Sequence, residues 1–288
     1  MKFDNLLTGF IPEPQGRDGL ALAVLLARQA GAHLTVATVK PPAPGGLGPA
    51  RADASAWAAY LEEQATAALA QARELVGEDA DYITHTHKGS GRGLVELARK
   101  RGASAVVIGS APGGNIGRIV LGSTADQLLH ASPVPVILAP RGYADDPPPA
   151  LDRLTVAYRR GPCADAAVKR AARLAGVMDL PLRLVTLLVS SARPVKVELD
   201  MLARLRDQAT ADLNSAARGH RRRTDVEVEL LEGRSVAGAL QHGRWAPGEL
   251  VICASSDAGP LRRVFLGDTS IKIVRAATCP VMILARTP

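Results

Sequence analysis

Short apolar runs alternate along the chain with longer stretches in which apolar residues recur every three or four positions. In the first half the runs predict strands over residues 6–10, 34–39, 82–87, 105–109 and 134–139, four of them bounded by Gly or Pro. Between them the spacing predicts helices near 20–30, 54–76, 94–101 and 123–130. The second of these places Trp57, Leu61, Ala65, Leu69 and Val76 on roughly one face and meets Gly77 as its stop. The second half repeats the order from Leu154 onward. Strands alternating with helices at this spacing call for right-handed crossovers and a parallel sheet covered on both faces. Each half therefore reads as a Rossmann-like, doubly wound α/β domain with a five-stranded parallel sheet.

The two halves also match as text. "HASPVPVIL" from His130 aligns with "RAATCPVMI" from Arg275, and the same offset of 145 lays "VVIGS" at Val106 on "VICAS" at Val251 and "IVLGST" at Ile119 on "VFLGDT" at Val264. Upstream the offset drifts, as loop insertions produce: "DNLLTGF" faces "DRLTVAY", and Gly89 faces Gly233. The boundary falls in "RGYADDPPPALD", because three consecutive prolines fit neither a helix interior nor a central strand. The expected organisation is a first domain over 1–143, a Pro-rich linker over 144–150 and a second domain over 151–288.

Composition narrows the function classes. With 47% hydrophobic and 22% charged residues in 288, the chain suits a soluble globular protein. No stretch approaches the roughly 18 consecutive apolar residues of a membrane span. The opening "MKFDNLL" lacks the basic-then-apolar pattern of a leader, so a cytoplasmic location is expected. The net charge of +7 divides into −1 for residues 1–146 and +8 for the remainder. Part of that surplus is the inter-element cluster "RGHRRRTD" at 218–225, which reads as a solvated surface. With 3% aromatic residues there is little to stack on bases, which argues against nucleic acid. Cys163, Cys253 and Cys279 are spaced for neither a zinc site nor a disulfide framework and read as small core hydrophobes.

The chemistry concentrates in "GSAPGGNIGRIVLGSTAD", Gly109 to Asp126, which follows the fourth strand and runs into the last helix of the first half. In doubly wound sheets ligands bind outside the carboxyl ends of the strands, where the strand order reverses. Backbone N–H groups at the helix start at Ser123 favour a phosphate there. His85 and His87 alternate on one strand face, but no acidic or cysteine partner is evident nearby, and a partly exposed strand face is the better account. Ser110, Ser123 and Ser255 lie in loops without a nucleophile-elbow pattern. The run "GSGRGL" from Gly89 lacks the lysine of a Walker motif and reads as the turn into the third helix.

The repeated "VVIGS…LGST" and "VICAS…LGDT" segments, each followed by a helix and a Pro-Val strand, together with "RQAGAHLTVATV", resemble the universal stress protein family in its tandem form. ATP-binding members carry Gly, two residues, Gly, nine residues, then Gly and Ser or Thr. On the first domain that pattern falls on Gly109, Pro112, Gly122 and Ser123, with Gly113 and Gly114 beside the proline able to supply a shifted loop. Proline removes an N–H that could face a phosphate. The family's aspartate after the first strand is replaced by Ile11, and Val39 matches the position lying against adenine. The resemblance thus implies a set of Gly109, Ser110, Gly113, Gly122, Ser123, Thr124 and Val39 for ATP or AMP, with magnesium, in the first domain only. No catalytic or metal-ligating residue is assigned.

In the second domain the four motif positions hold Ala254, Asp257, Gly267 and Asp268, and Arg159 replaces the first-strand aspartate. Asp268 would repel a phosphate and equally suits a helix cap. Arg159, Arg160, Arg262 and Arg263 read either as ion-paired surface residues or as the edge of an acidic-ligand site. The resemblance further implies that "PVPVILAP" and "CPVMILAR" pair to form an internal pseudo-dimer, with further homodimerisation left open. The leading expectation is a regulatory binding protein of the stress response. The alternatives are a ligand-free module docking an acidic protein partner through its basic half, and a slow nucleotide hydrolase acting through Ser123 with Asp126 as the loop's only carboxylate.

Overall fold

The computed structural model describes residues 1–43, 50–190, 196–222, 224–254 and 268–285. The first half contains β1 (Asn5–Gly9), α1 (Pro14–Ala30), β2 (His33–Lys40), α2 (Ala50–Val76), β3 (Ala80–Thr86), α3 (Ser90–Lys100), β4 (Ala105–Gly109), α4 (Ser123–Ala131) and β5 (Val136–Ala139). The second contains β6 (Arg153–Ala157), α5 (Pro162–Met178), β7 (Leu182–Val189), α6 (Lys196–Arg218), β8 (Val226–Gly233), α7 (Val236–His242), β9 (Glu249–Cys253), α8 (Asp268–Ala276) and β10 (Val281–Ile283). The alternation expected from the sequence is present, with shifted ends. Helix α1 starts at Pro14, where a proline is tolerated because the first N–H has no helical partner. Helix α3 starts at Ser90, so "GSGRGL" is its opening turn, and Gly91 and Gly93 are buried inside it.

The ten strands among the described residues form one sheet in the order β3-β2-β1-β4-β5-β10-β9-β6-β7-β8. Pairing is parallel within each half, and the order reverses between β1 and β4 and again between β6 and β9. The halves join through antiparallel β5 and β10, Val281 opposite Leu138, Met282 opposite Ile137 and Ile283 opposite Val136. All six of these residues are buried. This is the central pairing that the resemblance implied, and it covers two apolar edges that would otherwise face solvent. Alternate residues of each strand feed two core layers, each containing residues from both halves. Leu6, Val107, Ile137, Val156 and Met282 pack with α1, α2 and α5. Leu7, Val106, Leu138, Val251 and Ile283 pack with α3, α4, α7 and α8.

Helix α1 also anchors the connection between the halves. The buried Asp18 carboxylate accepts the N–H groups of Gly142 and Ala144, both at 2.9 Å, and Gln29 makes a two-way amide clamp on the backbone of Leu151. The amino end of α1 presses on β4 backbone to backbone. A Cβ on Gly19 would lie 2.7 Å from the Gly109 nitrogen, and one on Gly109 would overlap the Gln15 carbonyl oxygen.

At the amino ends of the second half's strands lies a buried charge network. Arg183 of β7 and Glu249 of β9 are buried and meet at 2.7 Å. Arg183 also donates to Thr155 at 3.0 Å and Glu229 at 2.9 Å, and Arg153 donates to Glu249 at 2.9 Å and Glu227 at 3.2 Å. The Thr155 hydroxyl donates to Glu249 as well. Desolvating two charges is costly, so removing one partner is worse than removing both.

Two outcomes follow. Gly109→Ala is expected to lower unfolding stability in urea by about 1–3 kcal/mol through overpacking against α1, and a neutral effect would contradict the backbone contact. Glu249→Gln is expected to cost about 3–5 kcal/mol, while Arg183→Met with Glu249→Met costs clearly less than the single change. A loss below about 1 kcal/mol in the single variant would show that the ion pair does not hold the strand ends together.

Candidate functional site

The reversal between β1 and β4 opens a cavity of about 360 Å³ at the carboxyl ends of the first half's strands. Its walls come from the end of β1, the first turn of α1, β2 at Ala37 and Val39, the starts of α3 and α4, and the segment after β4. Ile108, Val39, Phe10 and Leu94 give it an apolar body, and none of the described residues that line it carries a formal charge. The starts of α3 and α4 are tied by the hydroxyls of Ser90 and Thr124 at 2.6 Å, so both helices present their positive ends to the same space.

At α4 the cap is Gly122, which makes no side-chain cap bond, and the first intrahelical acceptor bond is Asp126 N–H to Gly122 carbonyl at 2.9 Å. The N–H groups of Ser123, Thr124 and Ala125 therefore have no helical acceptor, and all three residues line the cavity. That is the arrangement in which a helix start receives an anion. The loop leading there is shaped by its own bonds. Ala111 N–H donates to the Val120 carbonyl at 2.9 Å, and the Ser110 hydroxyl accepts from Val120 N–H at 2.8 Å while donating to the Ala111 carbonyl at 3.2 Å. Farther out, Arg141 N–H donates to the Arg118 carbonyl, and the Arg118 side chain crosses to the Ala276 carbonyl at the end of α8.

Of the residues singled out in the sequence, the structure gathers Gly109, Ser110, Gly122, Ser123, Thr124 and Val39 around this cavity. Gly113 does not join them. It stands outside the lining with φ +85°, a left-handed turn position that glycine suits, and no heavy atom lies near its would-be Cβ. Ser110 is present as a loop fastener, its hydroxyl engaged by backbone. Gly109 serves helix–strand packing, and Gly122 gives clearance for Ala111, 2.7 Å from its would-be Cβ. Pro112 and Ile11 both line the cavity, so the two departures from the ATP-binding pattern sit in the site itself.

Asp126 is not among the lining residues. Its carboxylate is 71% exposed and pairs with His130 at 3.2 Å one turn on. The sequence also missed a partner for the histidine pair. Glu96 on α3 meets His85 at 3.1 Å and His87 at 3.5 Å, a juxtaposition that only the crossover from β3 to α3 creates. Among the described residues no group of three His, Cys, Asp or Glu is placed to hold a metal ion. Sequence spacing omitted Gln15 and Ser90, which belong to the cavity because α1 and α3 start one to two turns earlier than their apolar periodicity indicates, and Phe10, which follows the end of β1.

In the second half Asp268 opens α8 as a first-turn acid, the position of Ser123 in the first. Arg160 is paired with Asp212 at 2.9 Å, and Arg159 is exposed. Ser255, Asp257, Arg262, Arg263 and Gly267 lie outside the described residues. Burial pushes the thiols of Cys253 and Cys279 up to about 12, so both behave as core groups. Among the described residues, no helix is long and apolar enough to cross a membrane.

Comparison with known proteins agrees with the duplicated fold. The model of the universal stress protein family matches residues 2–140 and again 150–285. A universal stress protein of Mycobacterium tuberculosis (strain ATCC 25618 / H37Rv) is 31% identical over 294 residues, spanning 97% of this chain and 99% of the relative. A second, from Mycolicibacterium smegmatis, is 27% identical over 239 residues and spans 77% of each. Among solved structures, a universal stress protein from Archaeoglobus fulgidus DSM 4304 shares the fold over 100% of both chains, with a TM-score of 0.66 at 19% identity. Two matches in tandem, a relative aligned over nearly its full length and one continuous ten-stranded sheet lead to one assignment: the chain belongs to the universal stress protein family, with the family's unit present twice.

Proposed function

We propose that the protein is a nucleotide-responsive binding protein that takes one adenine nucleotide, ATP or AMP, in the cavity between β1 and β4. The observation that carries this reading is the start of α4, where three N–H groups without helical acceptors open into a cavity with an apolar body formed by Phe10, Val39, Leu94 and Ile108. The base lies against Val39 and Ile108, and the phosphates meet Ser123, Thr124 and Ala125. Among the described residues no Lys or Arg lines the cavity, so the attraction for phosphate comes from backbone dipoles and the hydroxyls of Ser123 and Thr124. A helix start contributes about 0.3–1 kcal/mol at exposed sites and up to about 2 kcal/mol when partly buried. Magnesium carried by the phosphates supplies the positive charge that the lining lacks. With Pro112 in place of an N–H donor and Ile11 in place of an acceptor, affinity is modest.

Hydrolysis is not part of the proposal. The loop's one carboxylate, Asp126, faces His130 and solvent, and catalysis of water attack needs a base within hydrogen-bond reach of the phosphates. The second half takes no nucleotide in this reading, because Asp268 sets a carboxylate where Ser123 offers a hydroxyl.

Calorimetric titration of ATP and AMP with magnesium is expected to give one site with a Kd on the order of 10–100 µM. Ser123→Asp is expected to weaken it at least about tenfold while leaving the melting temperature unchanged or slightly raised, since a first-turn acid suits the helix dipole. Absence of heat at millimolar nucleotide, or equal binding by Ser123→Asp, would refute the proposal.

A further inference from the structure

A second cavity, of about 240 Å³, lies where the two halves meet. Arg118 reaches it from the loop between β4 and α4, and Gln241, Trp245, Ile273, Thr278 and Cys279 line it from the second half. The nucleotide reading makes no use of it.

The cavity owes its shape to a local departure between the halves. Helix α7 has 7 residues where α3 has 11, and the chain beyond it, 243–248, brings Trp245 into the space that is left. Trp245 is then fixed from several directions. Its Nε1–H donates to the Leu240 carbonyl at 2.6 Å, and the Arg183 guanidinium lies 4.5 Å from its ring centroid. On one side the Arg244 carbonyl accepts from Arg153 at 2.9 Å and Arg183 at 3.0 Å, and on the other Ala246 N–H donates to Glu249 at 2.9 Å. The buried charge network therefore grips the backbone on both sides of one indole. At the matching register positions the first half has Leu7, Thr35 and Ser104, which need no such desolvation. A costly polar network that immobilises a cavity-lining aromatic side chain is the support a binding site requires, and ordinary packing does without it.

The lining also defines the occupant. Its volume falls below the range of about 300–1,000 Å³ typical for drug-sized ligands, so the occupant is about one ring in size. Trp245 and Ile273 provide an aromatic and an apolar wall, and Cys279 adds a neutral thiol. Arg118 is the one ionised side chain among the described lining residues, and no acid accompanies it. It donates one N–H to the Ala276 carbonyl, and a guanidinium has five. We propose that this interdomain cavity binds a small aromatic carboxylate, with the ring against Trp245 and the carboxylate on Arg118.

The chain has two tryptophans, and Trp57 is half exposed on α2, so Trp57→Phe leaves Trp245 as the single indole reporter. Benzoate titrated into that full-length variant is expected to change the Trp245 emission saturably, with a Kd on the order of 0.1–1 mM for so small a molecule. Adding Arg118→Gln, or replacing benzoate by uncharged benzamide, is expected to weaken binding about tenfold. Ala277→Leu, which fills the lining, is expected to abolish it. A linear, unsaturable response would overturn the proposal, as would equal binding of benzoate and benzamide. The benzamide comparison uses the unaltered lining, so it decides the matter even where a substitution disturbs folding, and no nucleotide enters the experiment.

Discussion

The first half is organised around one contact in which two backbones meet without a side chain between them. Gly19 and Gly109 let the amino end of α1 lie directly on the end of β4, while Gly16 clears the Ile11 backbone as the chain enters the helix. This seats α1 at the mouth of the reversal between β1 and β4, brings Gln15 and Gly16 into the cavity wall, and sends the chain after Gly109 outward over the opening. The same helix carries Asp18 and Gln29, which hold the connection to the second half. A methyl group at Gly109 would therefore disturb the cavity, the loop above it and the joint between the halves together.

The second half keeps the topology and gives up this contact. Matching α5 to α1 from their leading prolines, and β9 to β4 from register, puts Ala164, Ala167 and Ala254 where the first half has Gly16, Gly19 and Gly109. In the first half's arrangement each of these methyl groups would collide with backbone, so α5 cannot lie on β9 as closely as α1 lies on β4. Asp268 at the start of α8 then places a negative charge beside any phosphate at that helix start. The second half's elaboration is at the opposite end of its sheet, in the Arg183–Glu249 network and the tryptophan it supports. Two copies of one unit have diverged so that the first keeps an open carboxyl end and the second builds a charged network at its amino end.

Periodicity made the fold legible because alternate strand residues and helical stripes face a common core, and the duplication showed in the motifs that end each β4-like strand. The central pairing was legible through the Pro-Val strands and the family resemblance, since an apolar edge must be covered. Helix starts were harder to read. Pro14 to Gly19 and Ser90 to Gly93 are rich in Gly and polar residues, which local propensity reads as loop, and only close tertiary packing makes them helical. Those turns line the cavity, so the sequence displayed Gly122, Ser123 and Val39 while hiding Gln15 and Ser90. The meeting of Glu96 with His85 and His87, and the network around Trp245, depend on which crossover lies on which face, and no short motif carries that information.

Whether nucleotide is held at the start of α4 and nowhere else can be read by mapping ATP onto assigned backbone amide and methyl NMR signals of the intact chain. The expected result is perturbation of the amides of Gly109, Ser123, Thr124 and Ala125 and the methyl groups of Val39 and Ile108, with Ala254, Asp268 and Thr269 silent. Perturbation centred on Ala254 and Asp268, or scattered over the basic surface of the second half, would contradict it.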